Sequence, residues 1–213
     1  MAKPLEFFFD YMSPTSFLGW AVVKGVIERT GAELKISPMF LGGVMKATGN
    51  QPPGMVAAKG KYMQQDMARC CKRHGIQIFS NKHFPMMNTR PLTGATIRLQ
   101  DDPEQQYRLL DAGFKHVWGR TDGGINTGEE AEFKAAFGAE GLDADRLWAL
   151  GNDAKTKAML RANTEEAVER GAFGAPTFFV GDDIGASGWF GYVTAVGMLF
   201  AIPTALIAPS LEL

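Results

Sequence analysis

Leu5-Glu6-Phe7-Phe8-Phe9-Asp10-Tyr11-Met12-Ser13-Pro14-Thr15-Ser16 decides how this 213-residue chain folds. Leu5 to Phe9 is a short apolar, aromatic run that suits a buried strand, and Asp10 to Met12 is the turn leaving it. Ser13-Pro14 then opens a helix, because Ser is a favoured N-cap and Pro belongs at the first helical position. Phe17, Leu18, Ala21, Val22 and Gly25 follow at helical spacing and predict its inward face. Ser13 therefore sits where a strand hands over to a helix N-terminus. Unpaired backbone N–H groups and the positive end of the helix dipole converge there and stabilise an oxygen or sulfur anion. A plain helix cap is the alternative that the local pattern leaves open, since capping serines are far commoner than active hydroxyls.

Working outward, Ser13-Pro14-Thr15-Ser16 has the spacing of Cys-Pro-x-Cys, the redox motif that starts the first helix of thioredoxin-like proteins, with a hydroxyl at each sulfur position. Dithiol exchange at this site is thereby excluded. What remains is a thiolate-stabilising position fit to hold the thiolate of another molecule. Leu34 to Phe40 reads as a second strand, completing a β-α-β unit with a right-handed parallel crossover. Leu41 to Met45 and Thr48 to Gly54 are predicted to form a Gly- and Pro-rich loop at the strand ends, either a ligand loop or a simple connector.

From Met55 to about Gly171 helical signals dominate. Tyr62, Met63, Met67 and Cys70 predict an inward stripe on a helix over 56–74. Asp102-Pro103-Glu104, Asp143 and Asp153 each mark a helix start. Thr177 to Val180 is again a strand, preceded by Ala175-Pro176. In thioredoxin-like folds a cis-proline at this point faces the first helix. A cis Ala175–Pro176 bond would set the backbone of Ala175 beside Ser13, as an edge strand captures a peptide.

Composition narrows the function classes. A formal net charge of -1 gives no support for nucleic acid as a partner, and 46% hydrophobic residues fit a domain with a sizeable core. Met1 to Pro4 run straight into the first strand, which leaves no room for a signal peptide and makes the cytoplasm the expected location. Cys70 and Cys71 are adjacent, lack metal-ligand spacing and would be strained as a disulfide, so two reduced thiols are expected. His74, His83 and His116 form no close motif, and no metal site is expected.

In order and spacing the chain resembles the family of 2-hydroxychromene-2-carboxylate isomerases and kappa-class glutathione transferases, relatives of DsbA-type oxidoreductases. The resemblance is carried by Phe7 to Ser16, Gly49-Asn50-Gln51-Pro52-Pro53-Gly54, Lys59-Gly60-Lys61-Tyr62, and Gly171 to Val180. It implies an α/β thioredoxin-like sheet, residues 1–54 and 171–213, with an all-helical insertion over 55–170. It also implies glutathione as cofactor. Ser13, with Pro14 and Thr15, would hold the glutathione sulfur; Asn50 would lie at the glutathione site; Ala175 and Pro176 would pair with its backbone. Gly42, Gly43, Asn88 and Thr89 would lie near the second substrate, an aromatic or electrophilic small molecule, with Lys59 or Arg90 holding its carboxylate. A homodimer follows by analogy only. The reactions implied are thiolate-assisted cis–trans isomerisation in aromatic-compound catabolism or, alternatively, glutathione transfer. A non-catalytic binding module on the same fold is the reading from another class.

Past Asp183 the likeness ends. An aromatic-Gly-x-Asp-Arg-Leu segment, whose acid would bind the γ-glutamyl ammonium, is replaced by Ile184-Gly185-Ala186-Ser187-Gly188-Trp189-Phe190-Gly191-Tyr192. The 28 residues from Ile184 to Leu211 carry no charge. That length can span a bilayer, yet the glycines and prolines make a poor helix and no Lys or Arg flanks it. A membrane anchor, an apolar segment packed on the body, and a tail altered by a reading-frame change all stay open.

Overall fold

A computed structural model describes residues 4–181 and the backbone of strand Asp183–Ser187. Its frame is a four-stranded sheet in the order β2-β1-β3-β4. β1 (Leu5–Phe9) pairs in parallel with β2 (Leu34–Pro38), Leu5 opposite Leu34 and Phe9 opposite Pro38. β3 (Thr177–Val180) pairs antiparallel with β1, Phe7 opposite Phe178, and β4 (Asp183–Ser187) is antiparallel to β3. This is a thioredoxin-like sheet with helices inserted between β2 and β3. All five residues of β1 are buried, as the unbroken Phe run required.

Strand β4 was not expected. It covers the start of the uncharged segment that begins at Ile184. The remainder of that segment, expected to be an atypical tail, lies outside the described residues.

The helix α1 (Pro14–Thr30) starts at Ser13 and ends where Gly31 turns left-handed, φ 63°, a conformation that suits a residue without a Cβ. Its inward face differs from the one expected. Ser16, Leu18, Gly19, Trp20, Val22, Val23 and Val26 are buried, while Gly25 is exposed and Phe17 and Ala21 are half-buried. A helix gripped on several sides presents no single stripe, so spacing misassigns its face.

Leu41 to Met45, expected as loop, belong to the helix α2 (Leu41–Thr48). The side chain of Phe40 folds back over Gly42 and Gly43, and a Cβ on Gly43 would also meet Thr164 at 3.1 Å. These glycines serve close packing rather than a loop. After a 3-10 turn at Pro53–Met55 comes α3 (Ala57–His74). Its Met stripe is not core: only Cys70 is buried on this helix, and Tyr62 is exposed. Both cysteines are free thiols.

The remaining helices are α4 (Arg90–Arg98), α5 (Pro103–Trp118), α6 (Glu130–Ala139), α7 (Ala144–Asn152) and α8 (Ala154–Glu169). Asp102, Asp143 and Asp153 cap α5, α7 and α8 through their side chains. One face of the sheet (Phe7, Phe9, Phe178) joins a core with α1, α4, α5 and α6. The other face (Phe8, Phe179) joins a smaller cluster with α2 and α8.

A groove of about 630 Å³ runs along the outer edge of β2, beside Lys24 and Tyr107. Two carbonyls on that edge are covered by side chains: Gln106 donates to Ile36 O and Asn163 to Pro38 O. None of the candidate site residues lines the groove.

Candidate functional site

β1 delivers the chain to Asp10, and this carboxylate organises the turn and the two segments packed on it. It is 2% exposed. Oδ1 accepts from Met12 N at 3.0 Å and from the Thr89 hydroxyl at 2.9 Å; Oδ2 accepts from Leu41 N at 2.9 Å. Asp10 thereby ties the turn after β1 to the first residue of α2 and to the residue before α4. Burial pushes its carboxyl above the ordinary range, and the three donors pull it back only in part. The turn is clamped further by Trp118 Nε1 donating to Tyr11 O at 2.8 Å, and by the Tyr11 hydroxyl bonded to Thr96 at 2.9 Å.

Held this way, the chain closes with Ser13 N donating to Asp10 O, and Ser13 caps α1 by accepting from Ser16 N at 3.2 Å. The Ser13 hydroxyl lies 3.0 Å from Ala175 O and 2.8 Å from the Thr15 hydroxyl, which is itself 3.0 Å from Ala175 O. The Ala175–Pro176 bond is cis. The N–H of Ala175 finds no acceptor among the described residues. Gly19 makes the approach of α1 to β3 close: a Cβ there would stand 3.2 Å from Pro176 and 3.3 Å from Phe178. Ser16, at the second sulfur position of the motif, is fully buried, and its hydroxyl has no partner among the described residues.

Ser13, Pro14, Thr15, Ala175 and Pro176 thus meet at one seam. Asn50 stands one loop away: Nδ2 donates to Phe173 O at 2.7 Å and Oδ1 accepts from Gln51 N. It braces the loop that carries Ala175. Thr89, and Gly42 and Gly43 through the start of α2, are linked to the turn by Asp10. Asn88 faces another loop, its N–H bonded to Asn126 and its carbonyl to Thr127. Arg90 is exposed and its Nε donates back to Asn88. Lys59 lies on the exposed side of α3.

Sequence reasoning treated Asp10 only as part of a turn. Two of its partners lie 31 and 79 residues further on, so no local signal reveals its role. The segments leaving β2 and entering α4 and β3 expose Phe40, Met86 and Phe173. Among the described residues no cluster of metal-ligating side chains occurs, and no helix is long and apolar enough to cross a membrane.

A thioredoxin-like sheet has a first helix capped by Ser13 next to the cis Ala175–Pro176 bond, with serine at both sulfur positions of the Cys-Pro-x-Cys spacing. The chain belongs to the DSBA-like thioredoxin domain family, whose model matches residues 4–196 and so extends past Asp183, where the likeness read from sequence ended. It is 28% identical over 186 residues to a 2-hydroxychromene-2-carboxylate isomerase of Sphingobium xenophagum, covering 86% of this chain and 92% of that one. It is 29% identical over 191 residues to human glutathione S-transferase kappa 1, covering 83% and 80%. A solved 2-hydroxychromene-2-carboxylate isomerase superposes with a TM-score of 0.77 at 23% identity, over 95% of this chain and 93% of that one, a likeness of fold.

Proposed function

We propose that this protein is a glutathione-dependent isomerase of small conjugated molecules, 2-hydroxychromene-2-carboxylate or a similar intermediate of aromatic degradation. The observation that carries the reading is the seam: the Ser13 hydroxyl at the cap of α1, 3.0 Å from the carbonyl of Ala175, whose N–H has no acceptor among the described residues. That donor set fits a cysteinyl peptide. The Ala175 N–H is placed to receive a backbone carbonyl, and the Ser13 hydroxyl with the first turn of α1 to receive the sulfur. When bound, glutathione supplies a thiolate that adds reversibly to a conjugated double bond and permits rotation about it.

The chain's own residues do the rest. The helix N-terminus and the Ser13 hydroxyl favour the ionised sulfur, as they lower the pKa of a cysteine at such a position. Asp10 fixes the turn, so the backbone that carries these donors needs no rearrangement. Phe40, Met86 and Phe173 offer an apolar rim to an aromatic substrate, and Arg90 a cation for its carboxylate.

The test incubates the protein with 2-hydroxychromene-2-carboxylate, with and without glutathione, and follows the absorbance. Turnover that requires glutathione and falls about 100-fold in Ser13→Ala supports the reading. The 29% identity to a kappa-class transferase favours a second reading, conjugation. Activity confined to an electrophile such as chlorodinitrobenzene selects it. Absence of glutathione binding selects a non-catalytic module. A homodimer and a cytoplasmic location are part of the same proposal.

A further inference from the structure

Three oxygens stand in a triangle at the seam. Ser13 Oγ, Thr15 Oγ1 and Ala175 O are separated by 2.8, 3.0 and 3.0 Å, and all three residues are buried. A hydroxyl carries one hydrogen, so two protons serve three contacts and one edge of the triangle is always without one. The Ala175 carbonyl therefore has two available donors while needing only one.

We propose that Thr15 is a positioning residue that frees the Ser13 O–H to donate a hydrogen bond to a bound sulfur anion. This inference rests on the proposed use of glutathione. With the site free of sulfur, Ser13 donates to Ala175 O and Thr15 donates to Ser13. When a thiol docks and gives its proton to water, Ser13 turns its O–H to the sulfur and Thr15 turns its own to Ala175 O. No covalent bond of the protein forms or breaks, and the buried carbonyl keeps a donor throughout. Without the Thr15 hydroxyl the same rotation strips Ala175 O of its partner in a buried setting, a loss that opposes it. The Ser13 O–H then stays directed at the carbonyl and the thiolate is less favoured. Position 15 thus tunes the acidity of the held thiol through Ser13.

The experiment titrates glutathione bound to excess protein by the ultraviolet absorbance of its thiolate, in the wild type, Thr15→Val and Thr15→Ser, with folding checked by circular dichroism. Thr15→Val keeps the shape and deletes the hydroxyl; should it not fold, Thr15→Ala replaces it. The expected result is a bound thiol more acidic than free glutathione in the wild type, about tenfold less acidic in Thr15→Val, and restored in Thr15→Ser. An unchanged thiol pKa in Thr15→Val overturns the proposal while leaving the glutathione reading intact. So does a shift that Thr15→Ser does not restore, which assigns the effect to packing. A wild type that does not bind glutathione, or binds it with unaltered acidity, overturns the glutathione reading and this inference with it.

Discussion

The two ends of the β1–β3 pair are built from opposite materials. At one end Glu6 receives Arg170 at 2.9 Å and Lys35 at 3.0 Å, and the Arg170 guanidinium lies 3.8 Å from the centre of the Phe179 ring. Burial pushes the Glu6 carboxyl up, but the two cations outweigh it and hold it below the ordinary range. At the other end Ser13 and Thr15 meet Ala175 through neutral groups, and the one buried carboxylate, Asp10, is satisfied by hydrogen bonds alone. The ionic end fastens the sheet. At the Ser13 end the N-terminus of α1 has no ion pair among the described residues, and on the proposed function its positive potential is what a guest anion uses.

Substitutions at the two ends sharpen this contrast. Ser13→Ala should lose about 100-fold in glutathione-dependent turnover while costing only about 1 kcal/mol of stability as a lost cap, measured by parallel kinetics and urea unfolding. Asp10→Ala should cost about 3 kcal/mol in the same unfolding measurement, because Met12 N, Leu41 N and the Thr89 hydroxyl lose their acceptor in a buried place. Arg170→Ala should cost about 1–2 kcal/mol, leaving Glu6 with Lys35 alone, and should leave any bound-thiol acidity unchanged. A Ser13→Ala protein that keeps full activity, or an Arg170→Ala protein that shifts the thiol, breaks the division between the ends.

The smallest effect is in pH. The pKa of Glu6 is held below its unfolded value, so its contribution is present above the usual carboxylate range and is lost as acid takes the pH down through it. Glu6→Gln should flatten the acid side of the stability profile by a fraction of a kcal/mol, discounted for partial exposure.

How much of this was legible depended on the range of the forces involved. β1, the Ser13 cap and the helix starts at Asp102, Asp143 and Asp153 are written in neighbouring residues, so the sequence displays them. The thioredoxin-like frame came from the family resemblance carried by Phe7 to Ser16, Gly49 to Gly54, Lys59 to Tyr62 and Gly171 to Val180. Gly42 and Gly43 were misread as loop because the bonds that fix the start of their helix, the Asp10 carboxylate at Leu41 N and the Thr164 hydroxyl at Phe40 N, are tertiary. The α3 stripe was misread for the converse reason: amphipathic spacing was present, but apart from α1 and the 3-10 turn little of the body packs against this helix. Strand β4 needed a pairing partner in β3 that spacing alone does not reveal.

The link between Ser13 and Ala175 joins residues 162 positions apart, and that between Asp10 and Thr89 spans 79. During synthesis from the N-terminus Asp10 acquires its last donor only once Thr89 has left the ribosome, and the turn its last only with Trp118. The seam closes only when more than four-fifths of the chain is out. A truncated or stalled polypeptide ending before residue 175 carries both hydroxyls but lacks the carbonyl and amide opposite them. On the proposed function, a product that stops short of residue 175 has no complete sulfur site and is inert.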